Sequence, residues 1–226
     1  MDQPGLEETI HRGALAGLGR INQWSGTSRT LWSALREAVK SCHGPPRSPV
    51  RILELASGGG DVICALAAAA RRARLPLVLH GWDLSPTAVA HAQALAGRGR
   101  FDNVQFFQRD ALAATLPQDY DVIFCTLFLH HLDESSALTL LQRMAAAARK
   151  AVIIDDLRRT LLGWGLAWLG CRLLSRSRIV HEDGPQSVRA AYTLRELQHL
   201  VRQAGLQDAV VHCHWPQRFR LTWRKP

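Results

Sequence analysis

Lysine is scarce in this chain of 226 residues: Lys40, Lys150 and Lys225 are the only three, against 25 arginines, within a net charge of +9. A positive surface attracts nucleic acid, anionic lipid or acidic substrates. These arginines are scattered, however, and make no stripe that could follow a phosphate backbone, so no nucleic-acid partner is expected. Cysteine is sparse as well. Cys42, Cys64, Cys125, Cys171 and Cys213 are odd in number and include no CxxC pair, which excludes a zinc knuckle, a thioredoxin-type site and a secreted disulfide framework. His212 and His214 share a strand face but lack a third clustered ligand, so no metal is expected. The opening residues Met1–Gly5 show no basic segment followed by an apolar run. The most apolar stretch, Leu161–Leu174, is too short to cross a bilayer and contains Arg172. The expectation is a reduced, soluble, cytoplasmic protein. Hydrophobic residues at 47% and charged residues at 21% are a globular mixture, which leaves no room for a disordered or fibrous chain.

From Val50 onward, short apolar runs alternate with helical stretches. The spacing predicts strands at Val50–Leu55, Leu77–Trp82, Val104–Gln108, Tyr120–Cys125 and Ala151–Ile154. It predicts helices at Asp61–Arg74, Pro86–Ala96 and Glu134–Arg149, with Ser85 capping the second and Pro86 in its first turn. Strands apolar throughout belong to a parallel sheet covered on both faces, and their repeated alternation with helices predicts a doubly wound α/β domain. Before it, residues from about Leu6 to Ala38 read as two helices broken near Trp24–Ser28, and the run His43–Pro49 breaks all regular structure. After Asp156 come an apolar helix over about Thr160–Leu174, a polar connection Ser175–Ala191, and a helix Thr193–Ala204 with a Thr193/Glu196 capping box. Two last strands, Ala209–His214 and Arg218–Trp223, are joined by Trp215–Pro216–Gln217, short enough for a hairpin.

The sharpest local feature is Ile52–Val62, ILELASGGGDV, a strand running through glycines into a helix. It lacks the G-x-G-x-x-G spacing, and no Gly-Lys-Ser/Thr follows, which excludes Walker A. Asp61 puts a carboxylate at the helix N-terminus, where a pyrophosphate would otherwise bind. A cationic ligand tolerates Asp61 and Glu54 together. Asp83 closes the next strand, 23 residues beyond Gly60, and an acid at that spacing accepts hydrogen bonds from ribose hydroxyls. Capping of the helix at Pro86 is the alternative role. Asp110 ends the third strand, placed either to receive an adenine amino group or to cap a turn.

With these motifs in order, the chain over about residues 50–224 resembles the class I S-adenosylmethionine-dependent methyltransferases, in particular the small-molecule group related to quinone-biosynthesis methyltransferases. The family's acidic-x-Gly-x-Gly-x-Gly motif falls on Glu54, Ala56, Gly58 and Gly60, with Ala56 departing from the usual first glycine. The resemblance implies a Rossmann-like seven-stranded sheet, mostly parallel with an antiparallel last strand and helices on both faces. It further implies S-adenosylmethionine as cofactor, with Asp83 at the ribose, Asp110 at the adenine and Thr126–Leu127 near the methionine part. Ser57, Leu84 and Ala111 complete the expected set. Residues 1–45 are expected to cap the site, and 158–191 to insert an apolar lid into the domain at 46–226.

A hydroxyl acceptor must lose its proton, work suited to histidine near neutral pH. Leu129–Asp133 follows the fourth strand, where ligands of parallel sheets bind, so His131 and His130 are the candidate bases, with His181 in the polar connection behind them. Asp156 is placed to orient a histidine, and Arg158 to stabilise a phenolate or carboxylate. Trp24, Arg29, Trp164 and Arg189 are expected to shape an acceptor pocket. The tryptophans favour a flat or greasy guest, with O-methylation of a phenolic or polyketide-like hydroxyl as the expected reaction. An RNA acceptor, C-methylation of a quinone-like ring and a non-catalytic cofactor-binding partner are the alternatives. Against nucleic acid, the stretch Thr126–Leu129 contains no Asn/Asp-Pro-Pro-aromatic motif. The apolar helix at 160–174 is also placed to contact a membrane surface or a second subunit.

Overall fold

The computed structural model describes residues 8–40, 49–175 and 177–226. Its elements run α1 (Glu8–Ser25), α2 (Thr27–Lys40), β1 (Val50–Leu55), α3 (Asp61–Ala73), β2 (Leu77–Asp83), α4 (Pro86–Gly99), β3 (Val104–Gln108) and β4 (Val122–Thr126). They continue through a single 3₁₀ turn at Leu129–His131 to α5 (Glu134–Ala147), β5 (Ala151–Leu157), α6 (Leu161–Leu174), α7 (Arg178–Ala190), α8 (Leu194–Gln203), β6 (Val210–His214) and β7 (Arg218–Arg224). The seven strands are ordered β3-β2-β1-β4-β5-β7-β6. β1 to β5 are parallel, while β7 runs antiparallel to both β5 and β6. This is the doubly wound mixed sheet that the alternation and the resemblance imply. The strand order reverses between β1 and β4, and the crevice beyond their carboxyl ends is where such sheets bind ligands.

Alternate residues of each central strand enter different cores, as the pleat requires. Leu53, Leu55, Ile123 and Ile154 pack with α5 and α8 on one face. Ile52, Phe124 and Ile153 pack with α2, α3 and α4 on the other. The caps form as read: Ser85 Oγ accepts the Ala88 amide, and Thr193 and Glu196 complete a reciprocal capping box. The two N-terminal helices meet at Gly26, where φ is 71°. The expected break at 43–48 lies outside the described residues.

Most element boundaries lie within a few residues of the sequence reading, and two differences bear on the site. β5 runs on through Asp155, Asp156 and Leu157 because β7 supplies partners for all three. The stretch expected as a polar connection contains α7. Gly184–Pro185 looks like a helix stop, but both residues lie inside the helix. A Cβ on Gly184 would stand 2.2 Å from Cys171 Sγ, so glycine there permits close approach of α7 to α6 rather than a turn. Val180, Pro185 and Val188 supply its buried stripe. Among the described residues, no helix is long and apolar enough to cross a membrane.

Candidate functional site

A cavity of about 420 Å³ opens at the carboxyl ends of β1 and β4, a size typical of small-molecule sites. It is lined by Ala56–Gly59, Asp83, Leu84 and Arg109–Leu112. Helices supply much of the remaining lining, with Leu15 of α1 beside Gly59 of the loop. Leu15, Leu18 and Ile21 come from α1, Leu166, Ala167 and Gly170 from α6, and Val188 from α7. Thr126–Phe128, His130 and His131 line it as well.

The glycine loop is pinned through Asp83. Its Oδ2 accepts the Gly58 amide at 2.7 Å and its Oδ1 accepts the Ser85 amide at 2.9 Å. The two amides fix the plane of the carboxylate. It serves the turn before α4 while lining the cavity. Asp110 is similar: its Oδ1 accepts the Leu112 and Ala113 amides at 2.7 and 3.2 Å, and the residue lines the cavity. Ala56, standing where the family pattern has glycine, adopts φ 54°, and Leu127 at the end of β4 adopts φ 50°. Both line the cavity, so left-handed backbone strain is concentrated at this crevice. Gly60 also has positive φ, and a Cβ there would meet Phe106 and Ala92 at 2.6 and 2.7 Å.

Glu54 and Gly60 sit behind the loop rather than on the wall. Glu54 is fully buried, its Oε1 accepting from Thr126 Oγ1 at 2.8 Å, and its Oε2 has no hydrogen-bond partner among the described residues. Burial pushes its pKa well above the ordinary carboxylate value, and the nearby charges of Asp61 and Asp83 push it further, against the Thr126 hydrogen bond. Asp61 does face the cavity. Burial raises its pKa too, opposed first by the hydrogen bond from Asn22 Nδ2 at 3.0 Å.

His130 is the histidine this wall positions. Its Nδ1 lies 2.7 Å from Asp156 Oδ1, and its amide donates to Asp156 Oδ2 at 3.2 Å. The Leu157 amide also donates to Oδ1 at 2.6 Å. Burial opposes a charge on His130, but the charge and hydrogen bond of Asp156 outweigh it and raise the pKa above 6.5. Burial likewise disfavours the Asp156 carboxylate, yet His130 and the Leu157 amide bring its pKa below 3.8. His131 is exposed, on the cavity edge, with its ring centroid 4.1 Å from that of His130.

Several expected site residues lie elsewhere. His181 is off the wall, its Nε2 bonded to the Ser175 carbonyl at 2.7 Å, which ties the start of α7. Arg29 is exposed on α2, because the helical period turns Thr27, Leu31, Ala34 and Leu35 inward instead. Trp164 and Arg189 stack on each other at 5.4 Å, off the wall. Gly163, Leu166, Ala167 and Gly170 take the cavity-facing positions of α6, which leaves Trp164 on its flank. Arg158 is off the wall as well, its backbone amide donating to Gln217. Trp24 does line the cavity and packs edge-on against Trp215, centroids 5.6 Å apart.

Sequence reasoning did not identify Asn22 or Arg218, because both reach the cavity through tertiary packing. Arg218 is 2% exposed and pairs with Asp155, while its Nη1 donates to Thr27 Oγ1 at 2.6 Å. Asp155 also takes His214 Nε2 at 2.9 Å. One buried hub therefore fastens the α1–α2 corner to the end of the sheet.

The donor set fits a nucleoside with a positive sulfonium. Asp61, Asp83 and Asp110 present carboxylates along one wall. Gly58 has open space where a Cβ would stand. Ser57 Oγ and Asn22 Oδ1, both on wall residues, are buried without a hydrogen-bond partner among the described residues, and such atoms are costly unless something pairs with them.

Residues 52–151 match a family model described as a methyltransferase domain. No curated protein matches the chain by sequence. In fold the chain is similar to magnesium protoporphyrin IX methyltransferase from Synechocystis PCC 6803 with bound SAH, at 17% identity and TM-score 0.61 over 89% of this chain and 84% of that one. It is similar to the DszA carbon methyltransferase at 14% identity and TM-score 0.70, over 92% of this chain and 57% of that one. It is also similar to human N-acetylserotonin methyltransferase in complex with SAM, at 16% identity and TM-score 0.67, over 97% of this chain and 56% of that one. The chain thus spans little more than half the length of the last two. The methyltransferase-domain match runs from β1 into β5 and takes in the glycine loop, and the fold around it is that of the similar methyltransferase structures.

Proposed function

We propose that the protein methylates a hydroxyl of a small, largely apolar acceptor, phenolic or polyketide-like, with His130 as general base. One observation carries this reading: a buried imidazole–carboxylate pair, 2.7 Å apart, backs a cavity lined in large part by apolar residues of three helices.

Bound in the cavity, S-adenosylmethionine supplies an electrophilic methyl group on a positive sulfonium. In this reading Asp83 holds the ribose, and Ser57 and Asn22 offer polar atoms that have no hydrogen-bond partner among the described residues. Asp156 accepts from His130 Nδ1, which fixes the tautomer and turns Nε2 into the acceptor of a proton. Its negative charge then stabilises the imidazolium. The apolar residues of α1, α6 and α7 exclude water and leave shape as the main selector of the acceptor, so the chemistry depends chiefly on alignment.

A second reading shares this base. A phenolate is nucleophilic at its ring carbons as well as at oxygen, so deprotonation by His130 would also serve C-methylation of a quinol-like ring. The test is incubation with S-adenosylmethionine and a panel of phenols and quinols, with mass spectrometry for the product and magnetic resonance for the methylated atom. The expected product is an aryl methyl ether. A His130→Ala variant that binds S-adenosylhomocysteine and still turns over at the native rate overturns the assignment of the base.

A further inference from the structure

The side of α6 turned away from the cavity is as apolar as the side that roofs it. Leu161 is 93% exposed, Leu173 74% and Leu162 60%, and Trp168 and Leu169 are also exposed. At the start of α6, Gln217 meets Thr160 and the Gly163 position. Gln217 lies two residues beyond Trp215, which forms an exposed aromatic pair with Trp24.

Guanidinium groups rim this surface. Arg172 stacks on Trp168 at 4.2 Å, Arg20 reaches the Leu174 carbonyl at 2.8 Å, and Arg178 is exposed at the start of α7. The acids of that helix hairpin are Glu182, which is exposed, and Asp183, which lines the cavity. A helix with leucine and tryptophan outward and arginine at its margins has the character of one that lies in the plane of a membrane surface. At about 1.5 Å per residue α6 is ~21 Å long, too short to span a bilayer but suited to lying within its interface.

We propose that the outer face of α6, with Trp24 and Trp215, seats this protein on an anionic lipid surface. A second copy of the chain is the less favourable occupant. A self-complementary interface would bring the same guanidinium rim against itself in a molecule of net charge +9, whereas anionic headgroups neutralise that rim. Resting on the acceptor reading above, the seat also gives the guest a route: a lipid-soluble acceptor passes from the leaflet into the chamber across a wall one helix thick.

The experiment is flotation of the full chain with vesicles of phosphatidylcholine alone and of phosphatidylcholine mixed with phosphatidylglycerol. Binding is expected to the mixed vesicles and to weaken with salt. The triple variant L162E/L169E/L173E, whose positions do not line the cavity, is expected to lower the bound fraction at least about tenfold with unchanged S-adenosylhomocysteine affinity. Should that variant fold poorly, R172Q alone is expected to weaken vesicle affinity roughly fivefold. Absence of binding to the mixed vesicles overturns the proposal, as does equal binding by the triple variant. So does a wild-type dimer in light scattering that the same substitutions dissociate. Vesicle binding without turnover of any phenol supports the seat and faults only the acceptor reading.

Discussion

His130 and Asp156 form an imidazole–carboxylate pair in which the acid lies wholly behind the base: Asp156 is 1% exposed and off the cavity wall, while His130 lines it. The acid is further fixed by the backbone amides of His130 and Leu157. Only the imidazole is left to meet a guest.

The pair sets a pH dependence. A base must be neutral, and the pKa of His130 is raised above 6.5, so the acidic limb of kcat/KM is expected above pH 6.5. Asp156→Asn removes the charge that raises it. The limb should move to lower pH, and turnover should fall roughly 100-fold or more through loss of an oriented base, with S-adenosylhomocysteine affinity retained. The stability linkage has two edges. The His130 contribution is complete below pH 6.5 and is lost as pH rises through its raised folded value. The Asp156 contribution is present above pH 3.8 and is lost as pH falls through its lowered folded value. A limb that stays in place in Asp156→Asn would refute the coupling.

Glu54 gives the opposite sign. Its folded pKa is raised well above 4.5 by burial, so its favourable contribution is complete below pH 4.5 and is lost as pH rises through the folded value. Glu54→Gln is expected to flatten the fall in melting temperature between acid and neutral pH, leaving the slopes due to the other shifted groups, Asp61 among them. The check is thermal unfolding across that range, and an unchanged slope would argue against it.

Arg218 is expected to be costly to remove. Replacing it by methionine leaves Asp155 with His214 as its remaining partner and releases Thr27 at the α1–α2 corner. Breaking a buried ion pair from one side costs about 3–5 kcal/mol. Urea unfolding measures this, and a loss under about 1 kcal/mol would mean that the hub is not a structural fastening.

The loop offers a paired test. Ala56 holds φ 54° with a side chain, so Ala56→Gly should relieve strain and stabilise by up to ~1 kcal/mol, net of the entropy gained by the unfolded chain. Gly58→Ala should cost about 1–2 kcal/mol through its positive φ and also weaken S-adenosylhomocysteine binding by filling the cradle. Calorimetry separates the two effects, and undiminished affinity in Gly58→Ala would place the ligand elsewhere.

Much of this was legible in the chain itself. β1 to β5 announce themselves because buried parallel strands are apolar on both faces, and Asp83 and Gly58 stand at the ends of such strands, where position alone implies the crevice. Residue type was a poorer guide to direction. His130 and His131 are adjacent and chemically identical, and only the extension of β5 through Asp156 distinguishes them. Arg29, Trp164 and Arg189 carry suitable chemistry on helix faces that turn elsewhere. Asn22 and Arg218 gain their places through the α1–α2 corner, a contact between chain segments almost 200 residues apart that no local pattern encodes. Gly184–Pro185 reads as a stop signal, since nothing nearby in sequence tells of the Cys171 sulfur that requires a glycine there.

Gly170 lines the chamber, and no atom lies within 4 Å of where its Cβ would stand. Each carbon grafted there would be subtracted from the room left for the guest. This single position on α6 therefore acts as a ruler: alanine, valine and leucine in turn should shorten the longest molecule admitted, without touching the groups that perform the reaction.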